Sequence, residues 1–470
     1  MPGPSRPPKR FDRSIVNGPL SRAVWMLAWP TMLQNMFGGL QGVVDHIMVG
    51  NFVGFTGNAA IGVSWQIFLV VVVFISSLFT GMAVLVARFA GAGDTEAVNR
   101  TVYQAFLTGL ALAVGIMAPL GYFLAPSLLN VINAAPDVQV QALPYLRIMF
   151  VFSFGMLIFF MVGGALRSAG DARTPLYLGV AMTLLNIVLN IILIRGLGPI
   201  PRLGTTGAAM GTVISGALVS GVSFYLLWSG RLVVQFHKGM GWKPDWTIIR
   251  ELFRFGLPTG FQGVAMNVAG VFLLRFVGSL EHSAEAQAAY AVSYGELFAF
   301  ITWTSQGLLG ATAAVAGQNL GAGNPDRSAR SPRVASRFGL GLAAGIGLLF
   351  LAIPSHLLGI FGMQDPAVVR IGTQLLGFLS VSGLFISVAL AYTGGLQGTG
   401  DTKSPFYISV VSQIVVPLGL CTILQATGNL TPAGIWLAIL LGHMTRCTLS
   451  VLRFRQGKWR NIQVLAPARG

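Results

Sequence analysis

Acid is what this chain has least of. Only 14 of its 470 residues are Asp or Glu, against 30 Lys and Arg. Charged residues of both signs make up 9 % of the sequence, where a soluble domain carries about a quarter. Hydrophobic residues make up 54 %, so the chain is not built for water. Cysteine is nearly absent as well: Cys421 and Cys447 both fall in apolar runs, which excludes a disulfide framework and a cysteine metal motif. No Gly-x-x-x-x-Gly-Lys-(Ser/Thr) motif occurs, so transport driven by a nucleotide-binding P-loop is not supported. Paired catalytic carboxylates, a histidine cluster and a nucleophile motif are also missing. The chain therefore reads as no enzyme, and no cofactor is expected. Residues 1–20 lack the apolar core of a signal peptide and read as a basic, Pro-rich, flexible tail.

What is present is long apolar runs. A bilayer core needs about 20 apolar residues per helix, and by that measure the chain holds about twelve spans. They are expected near residues 24–51, 59–87, 102–125, 142–166, 175–195, 206–228, 252–277, 286–316, 336–354, 368–396, 405–426 and 432–452. Segments this long and apolar exclude a membrane β-barrel. The net charge of +16 is topological rather than a sign of nucleic-acid binding. With the amino terminus placed inside, only Arg147, Arg195, Arg202 and Arg370 fall on the outer side, and Arg275 lies within a helix. Both termini and the basic segment Trp228–Arg254 are thus expected in the cytoplasm, with some affinity for anionic lipid.

The chain also repeats itself. Gly163–Tyr177 reads GGALRSAGDARTPLY, and Gly394–Tyr407 reads GGLQGTGDTKSPFY. Gly91-Ala92-Gly93-Asp94 returns as Gly321-Ala322-Gly323-Asn324, and Pro30 has a partner in Pro258. The fold class expected is therefore an all-α integral membrane protein with two pseudo-symmetric six-helix lobes, 24–228 and 252–455. A linker of 229–251 joins them, and tails of 1–23 and 456–470 flank them. Internal repeats of this kind are the mark of alternating-access transporters.

The motifs together resemble the multidrug and toxic compound extrusion (MATE) family over nearly the whole chain, from about Asp12 to Arg455. The resemblance rests on Gly18-Pro19-Leu20 with Leu27-Ala28-Trp29-Pro30, and on Val44-Asp45-His46-Ile47-Met48-Val49-Gly50. The two Gly-Asp-(Ala/Thr)-(Arg/Lys)-(Thr/Ser)-Pro loops, the two Gly-Ala-Gly-(Asp/Asn) loops and Leu203–Thr212 add to it. It implies a monomeric exporter of organic cations or amphiphiles in a prokaryotic inner membrane, driven by H+ or Na+. The rival within the same superfamily is a lipid-linked oligosaccharide flippase, against which the lack of intramembrane Arg clusters counts.

Only Asp45 and Glu296 place a carboxylate well inside a span, where an ionised group costs roughly 3 kcal/mol or more. Asp45 follows Pro30 by fifteen residues, about 22 Å along a helix, in the outer half of the first span. Asn186 and Asn190 share one face of the fifth span, as Ala208 and Thr212 do on the sixth. In the family subgroup with an amino-terminal site, the matching positions gather around the Asp of the first helix. Asn186 and Thr212 agree with that pattern, while Asn190 stands where the subgroup has a second acid. One carboxylate favours proton over sodium; a sodium site at Asp45, Asn186, Asn190 and Thr212 is the alternative. Pro30 is the expected hinge, or a static kink. The second lobe has Met266 or Asn267, and Leu273, where acids would be needed. Glu296 and His443 are candidates for substrate or proton handling. The competing expectation is that Glu296 pairs with His443 or Arg446 to lock two helices. His46 points about 100° away from Asp45 and is not expected to partner it.

Overall fold

A computed structural model describes residues 11–237 and 239–464. The outer parts of both expected tails, and Lys238 in the expected linker, lie outside the described residues. Helices and short turns make up the described residues, with no strand among them. That is the arrangement hydrocarbon demands, because a helix satisfies its own backbone groups.

The chain order begins with α1 (Ser14–Asn17), α2 (Leu20–Phe52), α3 (Phe55–Ala92) and α4 (Thr95–Val131). There follow α5 (Pro136–Phe152), α6 (Phe154–Ser168), α7 (Arg173–Arg195) and α8 (Gly204–Trp228). The second repeat holds α9 (Trp246–Gly278), α10 (Ser283–Tyr290), α11 (Ala299–Gly321) and α12 (Pro325–Ala352). After these come α13 (Pro354–Ile360), α14 (Pro366–Gly398), α15 (Lys403–Ala426) and α16 (Pro432–Arg455).

Among the described residues nine helices are long and apolar enough to cross a bilayer, and α5 with α6, bent by 50°, forms a tenth crossing. The two other expected crossings are present but atypical. Helix α2 carries Gln34, Asn35, Gln41, Asp45 and His46, which lower its hydropathy. The eighth span is α10 and α11 joined by a π-helical turn, Ala291–Leu297. The twelve-helix reading therefore holds.

The repeat shows in the turns as well as in the spans. Gly170 and Gly400 both take positive φ, 102° and 96°, where a Cβ would be strained. The next residue in each loop then ties down the first turn of the following helix. Asp171 Oδ1 accepts the backbone N–H of Thr174 at 3.0 Å, and Asp401 Oδ1 accepts that of Ser404 at 3.2 Å. Each also takes the hydroxyl of that Thr or Ser at 2.7 Å. The Gly-Asp-x-x-(Thr/Ser)-Pro sequence thus stops one helix, turns the chain and lets the Asp side chain accept from the first turn of the next.

Two compact units form, and their limits differ from the repeat limits. One unit is 36–260; the other is 13–35 with 261–463. Helices α2 and α9 are each shared, with the break at Asn35/Met36 and at Gly260/Phe261. The sequence-based lobes start at 24 and 252, where hydropathy begins, but packing assigns each helix stem to the other repeat's unit. In the first unit Gly81 lies so close to α9 that a Cβ would sit 2.2 Å from the Leu252 carbonyl oxygen. In the second, Gly307 does the same toward Met32, at 2.8 Å from its backbone nitrogen. Small residues let these backbones approach, which is how helices pack in lipid.

The expectation of a flexible amino-terminal tail is corrected from Asp12 onward. Helix α1 packs on α11, with Ile15 fully buried. Arg327 Nη2 donates to the Gly18 carbonyl at 2.8 Å, and its Nε donates to Asn319 Oδ1 at 2.9 Å. Asn319 is fully buried and donates in turn to its own helix at Val315. The carboxy-terminal end is docked too: Trp459 stacks on Phe454 and donates its indole N–H to the Phe454 carbonyl at 2.8 Å. The linker is packed rather than open, since Leu232, Val233, Val234 and Phe236 are buried and helix resumes at Trp246.

Candidate functional site

The first unit contains a polar cluster inside its apolar helices, built by three of them. Helix α2 supplies Gln41 and Asp45, one turn apart. Helix α7 supplies Thr183, Asn186 and Asn190, whose three- and seven-residue spacing sets them on one stripe. Helix α8 supplies Ala208, Gly211 and Thr212. The structure thus brings together the four residues the sequence singled out: Asp45, Asn186, Asn190 and Thr212.

Asn190 donates its amide N–H to Asp45 Oδ1 at 2.7 Å and to Asn186 Oδ1 at 3.2 Å. Both asparagines are fully buried, while Asp45 is half-buried. Asn186 has two orientations open to it. With its nitrogen toward α8, it donates to Thr212 Oγ1 at 3.2 Å, and Thr212 donates to the Ala208 carbonyl at 3.1 Å. Its oxygen then lies 3.1 Å from Asp45 Oδ1. Two acceptor oxygens at that distance attract only with a proton or a cation between them. With the amide turned over, its nitrogen donates to Asp45 at 3.1 Å and its oxygen accepts from Thr212 at 3.2 Å. An amide turn therefore matches the cluster to either a neutral or an ionised carboxyl.

Asn190 Oδ1 is buried without a hydrogen-bond partner among the described residues. Its position depends on Gly211, where a Cβ would stand 2.0 Å from that oxygen. Two polar residues of the cluster were missed by sequence reasoning. Thr183 donates to Gln41 Oε1 at 3.0 Å, tying α7 to the turn of α2 before Asp45. The signal was available: Gln41 is four residues before Asp45, and Thr183 is three before Asn186. His46 faces away, as expected, with its Nδ1 against Asn58 Oδ1.

Pro30 leaves α2 unbroken as a helix. Between it and Asp45 lie Gly38 and Gly42, whose missing Cβ positions face open space. Where the second repeat would need an acid stand Met266, with Asn267 after it, and Leu273. Asn267 donates to its own helix at Gly263, and Leu273 is a buried core residue.

The expected Glu296 ion pair is not made. Glu296 is half-buried and forms no salt bridge or hydrogen bond among the described residues. His443 stacks instead on Phe298, with ring centroids 5.7 Å apart and 23° between planes. The physical reason is local. Glu296 sits in the π-helical turn two residues before Phe298, and a two-residue step swings a side chain through roughly 200°. Once Phe298 faces α16, Glu296 faces elsewhere.

Among the described residues no group of three His, Cys, Asp or Glu could hold a metal ion. Any cation at Asp45 would rest on one carboxylate and neutral oxygens. Asp45, the Asn186 and Asn190 amide oxygens and the Thr212 hydroxyl are hard donors of the right class for sodium.

Comparison with known proteins gives a consistent result. The family model described as MatE matches residues 30–192 and 258–423. A probable multidrug resistance protein NorM of Thermotoga maritima is 27 % identical over 449 residues, covering 94 % of each chain. A multidrug resistance protein MdtK of Pectobacterium atrosepticum is 26 % identical, covering 93 % of this chain and 95 % of its own. Among solved structures, the outward-facing conformation of a multidrug resistance MATE family transporter superimposes with a TM-score of 0.88. It is 21 % identical and covers 95 % of this chain and 98 % of its own. At that identity the likeness concerns the fold.

Proposed function

Because the chain belongs to the multidrug and toxic compound extrusion (MATE) family, we propose that it is an antiporter in which a proton bound at Asp45 drives export of cationic or amphiphilic organic compounds. The observation that carries the coupling is the Asn190 amide resting on Asp45 at 2.7 Å, beside an Asn186 amide that suits either charge state. An ionised Asp45 takes both amide N–H groups. A protonated Asp45 donates its O–H to the Asn186 oxygen. The amides thus keep the carboxyl satisfied in both states, so loading and release need no large local rearrangement. Asp45 is the lone acid of the cluster, which suits a single proton.

Sodium is the second reading, and one observation favours it. The unpartnered Asn190 Oδ1 is a further oxygen ligand beside Asp45. The two readings separate in proteoliposomes. An imposed pH gradient without sodium should drive uptake of a fluorescent organic cation, and a sodium gradient at constant pH should not.

The bacterial relatives are named as multidrug resistance proteins. The same role is proposed for this chain in a cell membrane, with both termini in the cytoplasm, a placement the distribution of Lys and Arg supports. Helix α2 joins the two units, and Asp45 lies beyond its Gly38 and Gly42. Protonation there is proposed to bias the two-state opening of the exporter, with Pro30, inside the unbroken stem, as the proposed hinge.

A further inference from the structure

The second unit buries a set of polar groups that no described residue satisfies. Four lie on α16: Trp436, His443, Arg446 and Ser450, with exposures of 0, 2, 7 and 0 %. Their spacing of seven, three and four residues keeps them within about 80° of arc, on one stripe. Each carries a buried polar atom without a hydrogen-bond partner among the described residues: Trp436 Nε1, His443 Nδ1, Arg446 Nε and Ser450 Oγ. Facing the stripe is a ladder of rings. Tyr290 stacks on Tyr294 at 5.1 Å, Tyr294 on Phe298 at 5.5 Å, and Phe298 on His443 at 5.7 Å. Trp436 closes the other end on Tyr290 at 6.0 Å.

Arg446 is the centre of the problem. It forms no ion pair and no hydrogen bond among the described residues, although a guanidinium carries five N–H donors and cannot shed its charge. No acid of the unit bonds to Arg446 among the described residues. Asp401 pairs with Arg453, Asp326 with Arg460 and Glu285 with His282. Asp365 caps α14, Glu281 is exposed in the turn before α10, and Glu296 makes no ion pair or hydrogen bond among the described residues. The groups within electrostatic reach of Arg446 are Tyr294 and His443, and neither is an acid at neutral pH. A charged residue inside a membrane span marks a functional site, and its partner is what must be named.

We propose that Arg446, with His443 and Tyr294 beside it, is a binding site for a monovalent anionic group: chloride, or the carboxylate of a zwitterionic or anionic aromatic substrate. Guanidinium and carboxylate are matched in geometry as well as charge, and the ring ladder supplies an apolar wall for an aromatic body. The site lies wholly in the second unit and shares no residue with the Asp45 cluster. It widens the substrate class beyond simple cations.

The test is thermal melting of the purified full chain in low-salt detergent buffer, titrated separately with potassium chloride and potassium benzoate. Benzamide serves as the neutral match. The wild type should show a saturable rise with one or both salts and none with benzamide. A response to chloride alone identifies the inorganic ion, and a response to benzoate identifies the carboxylate. Arg446→Gln should lose the saturable rise, and without added anion it should melt no lower than the wild type, because an uncompensated buried charge has gone. Arg446→Lys should keep a weakened response. Asp45→Asn should respond like the wild type, which separates this site from the coupling reading. Absence of any anion-specific rise in the wild type would overturn the proposal. So would an equal rise in Arg446→Gln, or a large fall in its melting temperature in anion-free buffer.

Discussion

The Asn190 amide nitrogen lies 2.7 Å from the Asp45 carboxylate, although 145 positions of sequence separate them. Helices α2, α7 and α8 pack so as to bring the lone acid of the cluster against a neutral amide instead of a second acid. That pairing sets the chemistry, since an amide can donate to a carboxylate or present its oxygen to a cation.

Converting Asn190→Asp places two acids in contact at this point. The variant should gain sodium dependence, because a cation then neutralises both. Transport in proteoliposomes with a sodium gradient at constant pH checks this. A variant indifferent to sodium would show that the Asn190 position does not face the coupling ion.

Gly211→Ala should disturb the site without touching its polar groups. The new Cβ would stand 2.0 Å from Asn190 Oδ1, so Asn190 must move away from Asp45. The overpacking is expected to cost about 1–3 kcal/mol and to lower gradient-driven export more than downhill exchange. Equal loss of both would indicate general misfolding.

Glu296→Gln should leave the melting temperature nearly unchanged, within about 0.5 kcal/mol of stability, because no partner is left uncompensated. A drop of 3–5 kcal/mol, the usual result of breaking a buried pair, would reveal a hidden contact. A melting curve of the purified variant decides it.

Arg327→Gln should release the amino-terminal stem. Arg327 holds the Gly18 carbonyl and the Asn319 amide oxygen, and Gln cannot span both. Hydrogen exchange should speed up across residues 14–18 while the remainder of α11 and α12 keeps its protection. Unchanged exchange there would show that burial of Ile15 alone holds α1.

Much of this architecture was legible in the sequence. Apolar runs and the repeated Gly-Asp loops specify twelve crossings, because both signals are local. The Asp45 cluster was legible for the same reason: intramembrane polar residues are few, and Asn186 and Asn190 lie one turn apart. Gln41 and Thr183 obey the same spacing and were overlooked because neither is ionisable. Other features were hidden because they depend on packing at long range. The Ile15–Arg327 docking joins residues 312 apart, and nothing in a Pro-rich basic stretch announces it. The exchange of stems between units was hidden likewise, since hydropathy marks where a helix runs and not what it packs against. The Glu296 pair failed on one detail, the π-helical turn that directs Phe298 toward His443.

The central claim is that Asp45 carries the coupling proton. Its most direct test is gradient-driven transport of a fluorescent organic cation in proteoliposomes, comparing the wild type with Asp45→Asn. The substitution keeps the volume and removes the titrating group. Export driven by a pH gradient should vanish in Asp45→Asn, while binding of the cation to the purified variant persists. Full gradient-driven transport by Asp45→Asn would contradict the account.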